Sequence, residues 1–270
     1  MKIDLHIHTS ASDGTWSPET LIQNITDAGI KIFSVTDHDT VENIATISDL
    51  TIGTNLTFIK GVEINTYNEG KIFHILGYNI DTENERLNSI LSKNRAFIER
   101  KNKNSIAILM KMGHPVSPDE YDQYKNRPER GGWKALNYLI DKGLCQTYKE
   151  FFNLFDEKED FFTMNVEVKP EEAISCVKEA GGIPVLAHPG SGLYDIDYEK
   201  IVSIVLEMGI DGLECYHPEN SPEVTKYCLE ICKKNNLYIT GGSDCHGEFV
   251  KKRRLGKPDI DLSDLKIWNL

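Results

Sequence analysis

Short runs of apolar residues alternate along this chain with longer segments whose apolar positions recur at helical spacing. That rhythm predicts an α/β protein with a largely parallel sheet. The runs predict strands over residues 3–8, 32–36, 56–62, 72–77, 183–188, 212–216 and 237–241. Four helix starts share one device: Ser17-Pro18-Glu19, Ser117-Pro118-Asp119, Lys169-Pro170-Glu171 and Ser221-Pro222-Glu223. Proline suits the first helical position because its missing N–H had no partner there. A serine before it can cap, and an acid after it favours the positive end of the helix dipole. Residues 82–165 break the rhythm: the stretch lacks a convincing strand, and Ile90, Leu91, Phe97, Ile106, Leu109, Leu136 and Leu139 follow a helical spacing. The pattern therefore predicts a barrel-like α/β domain from residues 1–81 and 166–270, interrupted by a helical insertion over 82–165.

Composition narrows the class. At 40% hydrophobic and 27% charged residues the chain is ordinary for a globular protein. No apolar run approaches the roughly 18–20 residues of a membrane span, and MKIDLHIHTS is too polar for a secretory signal. The six cysteines (145, 176, 215, 228, 232 and 245) show no paired metal spacing and read as reduced thiols. A cytoplasmic protein is expected. Thirty basic against 42 acidic side chains give a net charge of −12, unfavourable for gripping long nucleic acid.

The histidines change the picture. Seven of the eight, His6, His8, His38, His74, His188, His217 and His246, sit at or just beyond the ends of predicted strands, the edge where α/β folds assemble active sites. In the first strand Asp4, His6 and His8 share one face by period-2 alternation, and two imidazoles so placed can converge on one ion. Asp13 lies in the turn-forming Ser12-Asp13-Gly14, and Thr36-Asp37-His38-Asp39 ends the second strand. Glu63 ends the third strand, flanked by apolar residues, where a carboxylate needs a partner. Asp244 and His246 repeat the i, i+2 spacing of His6 and His8. Such nitrogen and oxygen ligands without thiolate suit Mn, Fe or Zn.

These motifs, His6-x-His8-Thr9, Ser12-Asp13-Gly14, Thr36-Asp37-His38, Glu63, His74, His188-Pro189 and Ser243-Asp244-x-His246-Gly247, resemble those of the PHP (polymerase and histidinol phosphatase) family, in its stand-alone nucleotide-phosphatase branch. The resemblance runs from residue 2 to about 250 outside the insertion. It implies a distorted seven-stranded (β/α) barrel and two to three divalent ions that hydrolyse phosphoesters through a bridging hydroxide. Carried over residue by residue, it implies that His6, His8, Glu63 and Asp244 hold one ion. Glu63 would bridge to a second ion held with His74 and His188, and Asp13, His38 and His246 would hold a third. Glu63 and Asp244 are then catalytic as well as ligands. Asp4, Asp37 and Asp39 become candidates for orienting the ligand imidazoles.

Substrate choice is expected from the insertion. Arg130 and Lys134 flank Gly131-Gly132-Trp133 just before a helix, a credible anion site, and family members often carry a Gly-Arg-Pro-His-like sequence where this chain has Gly-Gly-Trp-Lys. His217 offers phosphate contact or leaving-group protonation. The basic run Lys251-Lys252-Arg253-Arg254 is the alternative seat of specificity. The expected substrate is a nucleoside mono- or 3′,5′-bisphosphate. Cyclic-phosphate phosphodiesterase, oligonucleotide exonuclease and histidinol phosphatase activities are the alternatives. An amidohydrolase ranks lower because those enzymes generally need a metal-bridging lysine, and in this chain the bridging role falls to Glu63. A non-enzymatic domain is weakened by the nine retained ligand positions.

Overall fold

The computed structural model describes residues 1–155, 166–194 and 196–268. Its sheet runs in chain order through β1 (Ile3–Asp4), β2 (Ile32–Val35), β3 (Thr57–Asn68), β4 (Lys71–Tyr78), β5 (Ile183–Leu186), β6 (Gly212–Tyr216) and β7 (Tyr238–Gly241). The helices are α1 (Pro18–Asp27), α2 (Ile44–Thr51), α3 (Glu85–Lys111), α4 (Pro118–Gln123), α5 (Lys134–Asp141), α6 (Tyr148–Phe152), α7 (Pro170–Glu179), α8 (Tyr198–Glu207) and α9 (Pro222–Asn235). Three of the four predicted helix starts are capped as expected. Ser17, Ser117 and Ser221 accept from the N–H groups of Thr20, Glu120 and Val224 at 3.3, 3.1 and 3.3 Å. Before α7, Lys169 has no acceptor to offer, and proline alone marks the start.

The sheet is less parallel than the apolar rhythm predicts. β1, β2 and β3 are parallel, as are β5, β6 and β7, but β4 runs against both of its neighbours. The cause is the two-residue connection between β3 and β4, too short for a crossover. Glu69 and Gly70, at φ of 47° and 83°, form a turn with both central residues left-handed, the geometry that suits a tight hairpin.

β1 pairs over only two residues, against the six expected. The chain beyond it stays extended and is shared between two strands' continuations. Leu5 N–H donates to Gly241 O at 3.1 Å and His8 N–H to Cys245 O at 2.9 Å, while Thr36 N–H donates to Ile7 O at 2.8 Å. Residues 5–8 thus bring the first and last strands together, and the seven-stranded sheet is nearly closed as a barrel. Gly242 permits the approach, because a Cβ there would lie 2.4 Å from the His6 backbone nitrogen. Ile3, Leu5, Tyr78 and Val185 pack in one buried cluster although their strands are not all neighbours in the sheet, as closure requires.

Helix α3 is 27 residues long, about 40 Å at 1.5 Å per residue. Its first turns bury Leu87, Ile90 and Leu91 against the barrel core. Its last turns bury Ile106, Ile108 and Leu109 in a separate cluster with Tyr121, Leu136, Leu139 and Phe151. Among the described residues no helix is long and apolar enough to cross a membrane.

Candidate metal centre

The extended segment after β1 delivers His6 and His8 side by side, fully buried, with their Nε2 atoms 3.1 Å apart. Glu63, inside the long strand β3, sets Oε2 at 3.1 Å from both nitrogens. Asp244 Oδ1 stands 3.5 and 3.2 Å from the same two. The other oxygen of Glu63 faces a different pair, His74 Nδ1 at 2.8 Å and His188 Nε2 at 3.0 Å. His74 reaches it because the hairpin sets β4 directly beside β3, with His74 opposite Asn65. A third group forms where Asp13 Oδ2 meets His246 Nε2 at 3.3 Å and Asp13 Oδ1 lies 3.6 Å from His8 Nδ1. His38 stands between groups: its ligand atoms gather with His8, Asp13 and His246, and again with Glu63 and His74. All nine side chains singled out from the sequence thus converge in one place.

The donor set fits divalent cations. Imidazole nitrogens crowd against carboxylates, yet His8 Nδ1, His38 Nδ1 and Asp244 Oδ1 are buried without a hydrogen-bond partner, a costly state that an ion would relieve. Burial opposes charge on His8, but Asp244 and Glu63 outweigh it and push the imidazole up to about 10. Burial wins at His38, pulled down to about 3, with His8 and His74 adding repulsion. Against their own burial, Glu63 and Asp244 are held well below the usual carboxylate range, Glu63 by His38, His6 and His74, Asp244 by His6, His246 and Arg253. The backbone is strained to match: His188 and Asp244 adopt φ of 29° and 52°, a conformation that non-glycine residues keep where surrounding structure enforces it.

The acids expected to orient imidazoles do other work. Asp4 accepts from the N–H groups of Ser243 and Gly256 at 2.9 and 2.8 Å. Asp37 takes the N–H and hydroxyl of Thr9 and the hydroxyl of Ser12, at 2.7, 2.6 and 2.6 Å. Asp39 takes the side-chain amides of Asn65 and Asn94 at 2.6 and 2.8 Å. These three hold the loops that carry the candidate ligands. The imidazole-orienting role falls to Glu214, which sequence reasoning misses: Oε1 lies 2.9 Å from His6 Nδ1, and Oε2 accepts from the His188 N–H at 2.7 Å. A signal exists, a lone acid in the apolar strand Gly212-Leu213-Glu214-Cys215-Tyr216.

The expected substrate residues are placed elsewhere. Arg130 pairs with Asp141 at 2.6 Å. Lys134 lies 3.5 Å from Glu99 and 4.4 Å from the Tyr121 ring centre. Acids on α5 and α3 thus engage both cations. The Gly131-Gly132 pair serves packing instead: a Cβ on Gly131 would meet Phe249 at 2.5 Å, and Gly132 N–H donates to Asp13 O at 2.7 Å. His217 stands beside Asp244, with Nε2 3.2 Å from Oδ2. Its Nδ1 accepts from the Glu219 N–H at 3.1 Å, which leaves the ring proton on Nε2, facing Asp244. A cavity of about 450 Å³ opens over the cluster, lined by Asp13, His38, Glu63, His74, His188, Asp244 and His246. Trp133, Tyr148, Leu193, Phe249, Lys252 and Arg253 also line it, and Arg130, Lys134 and His217 do not.

A model of the PHP domain matches residues 4–179. The chain belongs to the PHP family. It is similar along 94% of its length to the phosphoribosyl 1,2-cyclic phosphate 1,2-diphosphodiesterase of Eggerthella lenta, at 25% identity and over 97% of that protein. It is 28% identical to a 5′-3′ exoribonuclease of Haemophilus influenzae, over 99% of this chain and 98% of the other. A 3′,5′-nucleoside bisphosphate phosphatase of Chromobacterium violaceum is 25% identical over 98% of this chain and 95% of its own. Among solved structures, one described as a metal-dependent phosphoesterase from Bifidobacterium adolescentis superposes with a TM-score of 0.80. It is 28% identical, covering 94% of this chain and 91% of that one. Family, fold and cluster together make this PHP chain a hydrolase of phosphoric ester bonds.

Proposed function

We propose that this PHP protein hydrolyses small phosphate esters, foremost a nucleoside mono- or 3′,5′-bisphosphate, using two to three divalent ions drawn from Mn, Fe and Zn. The carrying observation is the split of Glu63, whose two oxygens face separate pairs of imidazoles at the base of a cavity. His6, His8, Glu63 and Asp244 would hold one ion, Glu63, His74 and His188 a second, and Asp13, His38 and His246 a third, with His38 also within reach of the second. Such ions lower the pKa of water and polarise phosphoryl oxygens. Glu214 keeps His6 and the His188 backbone in place for them. His217 and Arg253 hold the far oxygen of Asp244, so that Oδ1 stays turned toward His6 and His8.

The nucleoside reading draws on the lip of the cavity, where Trp133, Tyr148 and Phe249 surround a polar floor. Tyr148 and Phe249 lie 6.1 Å apart by ring centres, and a purine or pyrimidine gains most from such neighbours. Trp133 and Tyr148 come from residues 82–165, which makes that insertion the substrate-facing subdomain. Six buried, unpaired cysteines suit a cytoplasmic, reducing setting. The test is release of inorganic phosphate or of ester from a panel after reconstitution with Mn. The panel holds nucleoside mono- and 3′,5′-bisphosphates, a ribose 1,2-cyclic phosphate, histidinol phosphate and 5′-phosphorylated oligonucleotides. The proposal expects a bisphosphate or monophosphate to lead in kcat/KM, and a cyclic ester or oligonucleotide leading would replace it.

A further inference from the structure

The chemistry over the metal cluster calls for a fixed cation that meets the substrate's phosphate, and the expected pair, Arg130 and Lys134, is bound to other acids. Among the described residues lining the cavity, the cations other than histidine are Lys252 and Arg253. Lys252 is exposed, whereas Arg253 is largely buried, with 21% of its side-chain surface accessible. Its guanidinium is held between two carboxylates. One amino group contacts Asp244, and the other lies 2.8 Å from Glu219 Oε1. The two carboxylates are not equivalent. Asp244 is buried and belongs to the metal cluster, so its contact fixes where the guanidinium points. Glu219 is 39% accessible and itself lines the cavity. It sits on the loop after β6. A carboxylate there takes up the Arg253 amino group that Asp244 leaves to an anion entering the cavity. A phosphate dianion carries more charge and more acceptor oxygens than a carboxylate and pairs with a guanidinium through two parallel bonds.

We propose that Arg253 is the phosphate-binding residue of the cavity and that Glu219 is a built-in competitor, its carboxylate occupying the anion position until a substrate phosphate displaces it. The inference rests on the phosphoesterase reading of the same site. It deepens that reading by naming the protein cation and the group that guards it.

The competitor and the binder predict opposite effects, which separates them from residues that merely support the fold. Glu219→Gln leaves the Arg253–Asp244 contact in place and removes the competing charge. It should tighten inorganic phosphate on the Mn-loaded protein about 3–10-fold by calorimetry, and lower KM for a nucleoside monophosphate by a similar factor. Arg253→Ala should weaken phosphate about 10–100-fold and raise KM. Arg253→Lys, which keeps the charge without the fork, should fall between them. Metal content is measured on each variant, so that loss of an ion through Asp244 is seen separately. Unchanged phosphate affinity in Glu219→Gln would overturn the competitor. Unchanged affinity in Arg253→Ala with full metal content would overturn the binder. Should no ester be hydrolysed by the parent protein, the phosphoesterase reading fails, while calorimetry with phosphate still decides the role of Arg253.

Discussion

A carboxylate buried between apolar neighbours must find compensating charge, and Glu63 finds it in His6, His8, His38, His74 and His188, all within 3.4 Å. Being the acid shared between groups, it is the least replaceable. Glu63→Gln keeps the size and removes the charge, and elemental analysis should show the loss of at least one ion, with turnover down about a hundredfold or more. A fully loaded, near-normally active variant would mean the bridge lies elsewhere. The protons of the cluster make a second prediction. Without metal, the His8 imidazole is pushed up to about 10 and His6 is also raised well above its ordinary range, each against its burial, by neighbouring carboxylates. At neutral pH His8 holds a proton that an ion must expel, and the carboxylates around His6 pull in the same direction, so affinity rises with pH. Mn titrations between about pH 6.5 and 8.5 should show up to about a tenfold gain per unit for each proton expelled, and a flat profile would contradict it. The ligands are legible in the sequence because strand ends and period-2 spacing expose them in one dimension. Glu214 obeys the same rule as Glu63, an acid among apolar neighbours in a strand, yet it lies two residues inside β6 and not at the strand end where the motif residues gather. The partners of Arg130 and Lys134 are not legible for a physical reason: Asp141 and Glu99 approach them only in the folded chain.

The β3–β4 hairpin does what no βα unit could, setting His74 beside the strand of Glu63 without a helix between them. The apolar runs predict both strands but not their direction, which rests on the conformation of two residues, Glu69 and Gly70. The contact of the Gly131-Gly132 pair with the loop of Asp13 is similarly local. Gly131 has φ of 71°, and a Cβ there would meet Phe249 at 2.5 Å and the Asp13 carbonyl oxygen at 2.9 Å. Gly131→Ala should therefore cost about 1–3 kcal/mol and displace the loop of Asp13. Calorimetric unfolding should show the loss, and metal analysis should show weakened binding at the Asp13, His38 and His246 group while the Glu63 groups stay loaded. A variant as stable and as fully loaded as the parent would mean that the segment of Gly131 only brushes the loop of Asp13. In the sequence the glycine pair reads as an anion cradle, and the structure assigns it to close packing.

Charge at the scale of the whole molecule sets what can approach the cluster. The chain carries a net −12, so a polyanion meets net repulsion, while a compact phosphate needs only the cavity. Inside the cavity the balance reverses once divalent ions join Lys252 and Arg253, because ions of charge two outweigh the carboxylates that hold them. A short substrate buries its charge in that positive spot, whereas each added nucleotide of a long one brings another phosphate to a chain of net negative charge. Two observables follow. With Mn-loaded protein, kcat/KM should fall as a 5′-phosphorylated oligonucleotide is lengthened from two to about twenty residues. Added salt should recover part of the loss for the long substrates by screening the repulsion over a Debye length of about 8–10 Å, and should change the mononucleotide rate far less. A protein built to grip polymer through its phosphates shows the reverse, with affinity falling steeply as salt rises. Rates that climb with length and collapse with salt would identify a polymer-binding surface and move the substrate to the exonuclease side.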